Sequence, residues 1–293
     1  METTFEKTLE ILEQTGTNWE TRKEKLVSVS GKDTDAYGLF RSDNGHFMGS
    51  VKEGYFPMHN SRLVELLVDA TSELDLQITN GGSMKQGARV FYQMRLPDEY
   101  VGKSSIKRHI TALNSHDGGM SIGFGSSNTV VVCQNTFYRA YKDLSKVKHT
   151  ESSDIRVQDI VADIKRTIKK DILLIEDFKR MADLEMQDEV VERVIRKMFG
   201  IDPSKQQSEV SSRKFNQVQT FAGNIKTEIE LEGKTVWALF NAVTRYTNHE
   251  IAPKEIDKRA EHLMTGRGQE LSNLAFDDIM AWVDKKTALM ITV

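Results

Sequence analysis

Cysteine is almost absent from this chain: Cys133 is the only one in 293 residues. A lone thiol excludes an intrachain disulfide and a cysteine-rich zinc site, and it fits a reducing compartment. Proline is scarce as well, with four. With 39% hydrophobic and 28% charged residues, the composition is that of an ordinary soluble globular protein. No apolar run approaches the length of a membrane span. The start, METTFEKTLEILEQTG, carries charges throughout and lacks the apolar core of a signal peptide. An intracellular protein without a membrane partner is expected.

Several catalytic signatures are missing. There is no His-Glu-x-x-His pair and no Gly-x-x-x-x-Gly-Lys-Ser/Thr loop. GSSNTVV lacks the glycine spacing of a dinucleotide-binding turn. TGRGQ at 265–269 reads as the junction between two helices and not as a phosphate loop. No cofactor and no metal site is therefore expected.

What the chain does have is an uneven charge. Residues 1–84 hold 8 Lys/Arg against 14 Asp/Glu, a net of -6. Residues 85–149 hold 10 against 4, a net of +6. A basic segment in an acidic chain is the footprint of a nucleic-acid surface, or else of a contact with the acidic part.

Periodicity predicts an α+β protein: a mainly antiparallel curved β-sheet with flanking helices, followed by a mostly helical C-terminal region. Residues 1–34 read as an N-terminal helical arm, with Phe5, Leu9 and Leu12 on one side. Residues 35–150 read as the core module. It opens with a hairpin turning at Asp43-Asn44-Gly45, followed by a helix capped by Asn60 or Ser61. Strands follow through GARVFYQMRL, SIKRHITALNS and MSIGFGSS. TVVVCQNTFYRAYKDL is expected to pass from a strand into a helix capped by Asn135 or Thr136. Residues 151–200 form a long helical region suited to partner contacts or a helical hairpin. Residues 201–293 form a polar loop, DPSKQQSEVSSRKFNQ, and C-terminal helices.

The candidate nucleic-acid-binding residues are Lys85, Arg89, Phe91, Arg95, Lys107, Arg108, His116, Arg139 and Lys142. Cations that track a backbone and aromatics that stack on bases are what single strands need. Alternation puts Arg89, Phe91 and Arg95 on one strand face, and Lys107 and His109 on one face of another. The competing reading of Phe91, Tyr92, Tyr138 and Tyr141 is core packing. His116 and Asp117, with Cys133 as a further candidate, could serve a hydrolase if they converge in a pocket with His59 or Asn135. Neighbours in a tight turn seldom point at one another, however, and Cys133 after three valines reads as a buried thiol. The features weigh against an enzyme. A turn that touches phosphate through Ser115 and His116 is the remaining role.

Three blocks carry a family resemblance: YGLFRSDNGHFMGSVKEGYFPMHN, then TALNSHDGGMSIGFG with VVVCQNTF, then TVWALFNAVTRYTNH with GRGQELSNLAF. They resemble the phage/plasmid-like family catalogued as domain of unknown function 932, over about residues 36–280. The resemblance implies a phage or mobile-element origin and the cytoplasm of a bacterial host. The expected topology is similar to the core of phage single-strand annealing proteins of the Red-beta and Erf type. That similarity implies a homo-oligomer whose basic groove holds single-stranded DNA and promotes annealing in recombination. The alternative is a protein-protein interaction module or inhibitor acting on a host protein of defence or replication.

Overall fold

A computed structural model of the chain describes residues 3–130, 134–141, 157–201 and 211–291. The order begins α1 (Thr4–Gln14), β1 (Thr21–Val27), β2 (Asp33–Arg41), β3 (Phe47–Lys52) and α2 (Asn60–Leu74). It continues β4 (Ile78–Met84), β5 (Arg89–Val101), β6 (Ser104–Ser115), β7 (Gly123–Val130) and β8 (Thr136–Tyr141). The helices α3 (Val157–Ala182), α4 (Asp188–Phe199), α5 (Ser212–Glu232), α6 (Val236–Arg245), α7 (Ile256–Met264) and α8 (Arg267–Ile291) complete it. The class is α+β, as the periodicity predicts, with the strands divided between two antiparallel sheets. β1-β2-β3 form one and β4-β5-β6-β7-β8 the other, each a meander in chain order.

The expected N-terminal arm holds a helix and then a strand. Thr3 and Glu6 form a reciprocal capping box that starts α1. Thr21–Val27 then pairs with β2 from Thr21↔Arg41 to Val27↔Asp33, so this segment belongs to the first sheet. Its mixed charges, TRKEKLV, hid a strand that is largely solvent-facing. Asn60 opens α2 but does not cap it; its amide donates inward to the carbonyls of Thr17 and Trp19 at 3.1 and 3.2 Å. The helix expected after Asn135 is instead strand β8, paired to β7 from Phe124↔Tyr141 to Thr129↔Thr136. Phe137 and Tyr138 enter apolar clusters on opposite faces of the sheet, which erased the polar alternation that marks a strand. The second half of the expected polar loop is helical from Ser212, with Ser211 accepting from Lys214 N–H.

The five-stranded sheet has two unlike faces. The inner face carries Val90, Tyr92, Met94, Ile110 and Ala112, which share a core with Leu63, Leu67, Ile160 and Ile164 of α2 and α3. A second core joins Phe137 to Phe178, Trp237, Phe240 and Phe276 of the C-terminal helices. Phe137 meets Phe240 edge-on at 5.0 Å and stacks on Phe276 at 5.3 Å. The outer face carries a small apolar cluster of Met84, Phe91, Leu113 and Tyr138, against which Ala260 and Met264 of α7 pack. Among the described residues no helix is long and apolar enough to cross a membrane.

Candidate functional site

The turn between β6 and β7 is held by its own polar side chains, each tied to a different element. His116 is fully buried. Its Nδ1 lies 3.0 Å from Thr21 Oγ1 on β1, and its Nε2 lies 2.9 Å from Asn60 Oδ1 on α2. The Asn60 amide nitrogen is committed to two carbonyls, so Oδ1 accepts and the imidazole Nε2–H donates. Trp19 closes the ring edge-on at 5.2 Å. Asn114 donates to Met58 O at 3.0 Å. Ser115 Oγ donates to Met120 O at 2.9 Å and accepts from Met120 N–H at 3.1 Å, while its carbonyl takes the Tyr55 hydroxyl at 3.0 Å.

Asp117 turns the other way from His116. Its Oδ1 accepts Gly119 N–H at 2.7 Å, and its Oδ2 stands 3.6 Å from Arg89 Nε. The two side chains do not form a hydrogen-bonded couple, because the ring is used inward as a core link and the carboxylate is used at the rim. His59 pairs instead with Glu20. Cys133 lies outside the described residues. Gly118 supplies the turn's left-handed residue at φ 73°. Gly49 of β3 lies so close that a Cβ there would meet Asp117 Cα at 2.9 Å, so the first sheet abuts this turn.

Register brings together part of the predicted basic set. Arg95 is directly opposite His109, and Lys107 follows two positions along on the same outer face. Lys107 is exposed; Arg95 and His109 are half-buried. Arg95 Nη1 reaches His109 Nε2 at 3.5 Å, and its Nη2 donates to Asp98 Oδ1. Burial lowers the His109 pKa from its ordinary value, and the nearby Arg95 and Lys107 charges lower it further, against Asp98. Between these cations and Phe91 runs a polar row: Asn80 donates to Gln93 at 2.8 Å, and Gln93 to Ser127 at 2.9 Å.

At the other end of that face α7 closes over the sheet and leaves a cavity of about 280 Å³. Arg89, Leu113, Met120, Tyr138, Met264 and Thr265 are among its lining residues. Phe91 is 8% exposed and Tyr138 3%, so both rings are packed and not offered for stacking. Lys85 is tied to Glu261 of α7 at 3.1 Å.

The rest of the set goes elsewhere. Arg108 is buried under α3, with Nε and Nη2 at 2.8 and 2.7 Å from Asp171 Oδ2. Arg139 faces α8, where Nη1 meets Asn273 Oδ1 at 3.1 Å and Asp277 Oδ1 at 2.8 Å, over the Phe276 ring. Tyr92 is buried with its hydroxyl 2.9 Å from Thr17 Oγ1. Lys142 lies outside the described residues.

A family model, Domain of unknown function (DUF932), matches residues 47–265, most of the chain. The chain belongs to that family. No curated protein and no solved structure matches it significantly. The DUF932 span takes in the cavity, the basic end of the outer face and a further polar cluster that the sequence did not disclose.

That cluster sits where β8, α5 and α6 meet. Asn135 Nδ2 donates to Glu228 Oε1 and to Asn241 O, both at 3.1 Å, and its Oδ1 is 3.1 Å from His249 Nε2. Arg245 Nη1 donates to Glu228 Oε1 at 3.3 Å. Asn248 pairs with the backbone of Thr136 in both directions, at 3.2 and 3.0 Å, as a strand neighbour would. It can do so because Tyr246–Glu250 forms a π-helical turn that re-aims these side chains. Glu228 is fully buried, and burial raises its pKa against the opposing bonds from Asn135 and Arg245. The spacing of Glu228, Asn241, Arg245 and His249 reads only as helix; nothing local signals that they converge on Asn135.

Proposed function

We propose that this DUF932 protein binds single-stranded DNA through its phosphates along the outer face of the five-stranded sheet. The observation that supports this reading is the shared face of Arg95, Lys107 and His109. Among the described residues Lys107 has no ion-pair partner, so its charge is available to a phosphate. Phe91, Tyr92 and Tyr138 are packed, so contact along this face would be made to the backbone and the bases would stay free. That is the chemistry of a protein that holds one strand while another pairs with it, in recombination within a bacterial cytoplasm. Neither a hydrolysed nucleotide nor a catalytic side chain is needed.

The test is fluorescence anisotropy with labelled oligothymidylate over a series of salt concentrations, followed by annealing of complementary oligonucleotides. Binding that weakens steeply with salt, and a shallower salt slope for Lys107→Glu, support the reading. Equal binding by native protein and Lys107→Glu, or none at low salt, refutes it.

A protein-interaction module is the second reading, favoured by one observation. Phe5 and Leu9 are 75% and 40% exposed on the same side of α1, beside α2. Self-association lost in Phe5→Ser with Leu9→Ser, measured by light scattering, supports a subunit contact there. Unchanged mass leaves α1 without that role.

A further inference from the structure

We infer that the cavity beside Arg89 binds a small organic oxyanion: a single carboxylate or phosphate head on a compact apolar body. The inference goes beyond DNA binding and does not rest on it.

The head group follows from Arg89. Its side chain is 17% exposed, and its Nε is buried without a hydrogen bond, since Asp117 Oδ2 at 3.6 Å is beyond hydrogen-bond range. Among the described residues nothing accepts from Nη1 or Nη2 either. Among the described residues other enclosed guanidiniums are hydrogen-bonded to carboxylates: Arg108 to Asp171, Arg139 to Asp277, Arg41 to Asp43. Asp117 offsets the charge of this largely buried guanidinium but accepts no hydrogen bond from it, so its donors are left unused and its planar fork matches an oxyanion. Asp117 stands at the Nε edge and leaves the two terminal nitrogens for a ligand.

A second observation points the same way. Tyr138 lines the cavity at 3% exposure, and its hydroxyl is buried with no hydrogen-bond partner. Unsatisfied buried polar groups are rare enough in native proteins to need a reason. A ligand oxygen supplies one for the hydroxyl and the guanidinium together.

The apolar body follows from the walls. Leu113, Met120 and Met264 line the same space, and methionines adapt to the shape of what they enclose. A volume of 280 Å³ is at the small end of the roughly 300–1,000 Å³ typical of small-molecule sites. Few polar groups in an apolar pocket is the pattern of a specific ligand site. It is unlike a groove that tracks a polymer.

The experiment titrates the full chain, labelled at its methionine methyls, with phenyl phosphate, benzoate and the neutral benzyl alcohol. Binding is read by calorimetry, and its place by the Met120 and Met264 resonances. The expected result is shifts at those two methyls and affinity for at least one oxyanion about tenfold or more above the alcohol. Arg89→Gln abolishes that difference, and Tyr138→Phe weakens the oxyanion severalfold while keeping the fold. Tighter phenyl phosphate assigns a phosphomonoester, and tighter benzoate a carboxylate. Lys107→Glu leaves all of this unchanged, which separates the site from DNA binding. Should Arg89→Gln fail to fold, Met264→Trp tests the same point by filling the space from α7 and removing the shifts. No binding by any probe at ~10 mM, weaker than any specific small-ligand site, overturns the inference. Equal binding of the alcohol and the anions, or shifts confined to other methionines, overturns it as well.

Discussion

Arg108 of β6 and Asp171 of α3 form the one ion pair in which both side chains are fully enclosed, at 7% and 0% exposure among the described residues. Both guanidinium contacts fall on Asp171 Oδ2, which frees Oδ1 to accept from Asn128 of β7 at 2.9 Å. One carboxylate thus joins α3 to two neighbouring strands.

Removing Arg108 leaves the buried Asp171 carboxylate without a cation against it. Arg108→Ala is expected to destabilise the protein by about 3–5 kcal/mol, measured by urea unfolding. Arg108→Met combined with Asp171→Leu removes both charges and should cost clearly less than the single change. A double variant as unstable as Arg108→Ala would show that packing, not charge, sets the loss.

Gly49→Ala tests the contact between the two sheets. The added Cβ meets Asp117 Cα at 2.9 Å and its carbonyl oxygen at 3.0 Å, so one backbone must move. A loss of ~1–3 kcal/mol is expected from this overpacking. Amide exchange should rise at residues 114–120 before it rises in the strands. Native-like stability would mean that the turn yields freely.

Glu228 makes stability depend on pH. Its folded-state pKa is raised above the unfolded one, so the folded protein holds this proton more tightly. Its contribution is therefore fully present below the ordinary carboxylate value and is lost as pH rises through the folded value. Glu228→Gln keeps an oxygen for Asn135 and Arg245 and should flatten that dependence. Chemical unfolding at a series of pH values measures both proteins. A native profile as flat as that of Glu228→Gln contradicts the expectation.

On the proposed DNA-binding reading, His109 gives binding its own pH signature. Its pKa is lowered in the free protein by burial and by Arg95 and Lys107. A phosphate beside it raises that pKa, so binding takes up a proton and tightens as pH falls through the histidine range. His109→Gln should remove the pH dependence while keeping the salt dependence set by Lys107. Affinities measured across pH in matched salt decide it.

Much of the architecture was legible because the core elements carry clean periods. Val90, Tyr92 and Met94 alternate, and Trp237, Phe240 and Val243 recur at helical spacing, and all are buried. The elements that were misread lack that contrast. β8 places an aromatic ring on each face, β1 is charged and mostly exposed, and α5 follows a polar run, with Phe215, Val218 and Phe221 as its first apolar residues. The site was legible only in part. Alternation grouped Arg89 with Arg95, yet the sequence could not say that α7 would fold over one end of that face. It also could not tell which arginines would be hydrogen-bonded to a carboxylate, since the partners of Arg108 and Arg139 lie 63 and 138 positions away.

The β6–β7 turn has one more consequence, for the order in which the molecule is built. Its side chains need Thr21, Tyr55, Met58 and Asn60 already in place, and those residues come from segments 56 to 95 positions earlier in the chain. Contacts of such separation form late, after local helices and hairpins have paid their closure entropy. The wall that this turn gives the Arg89 cavity should then become native only after the hairpins beside it have paired.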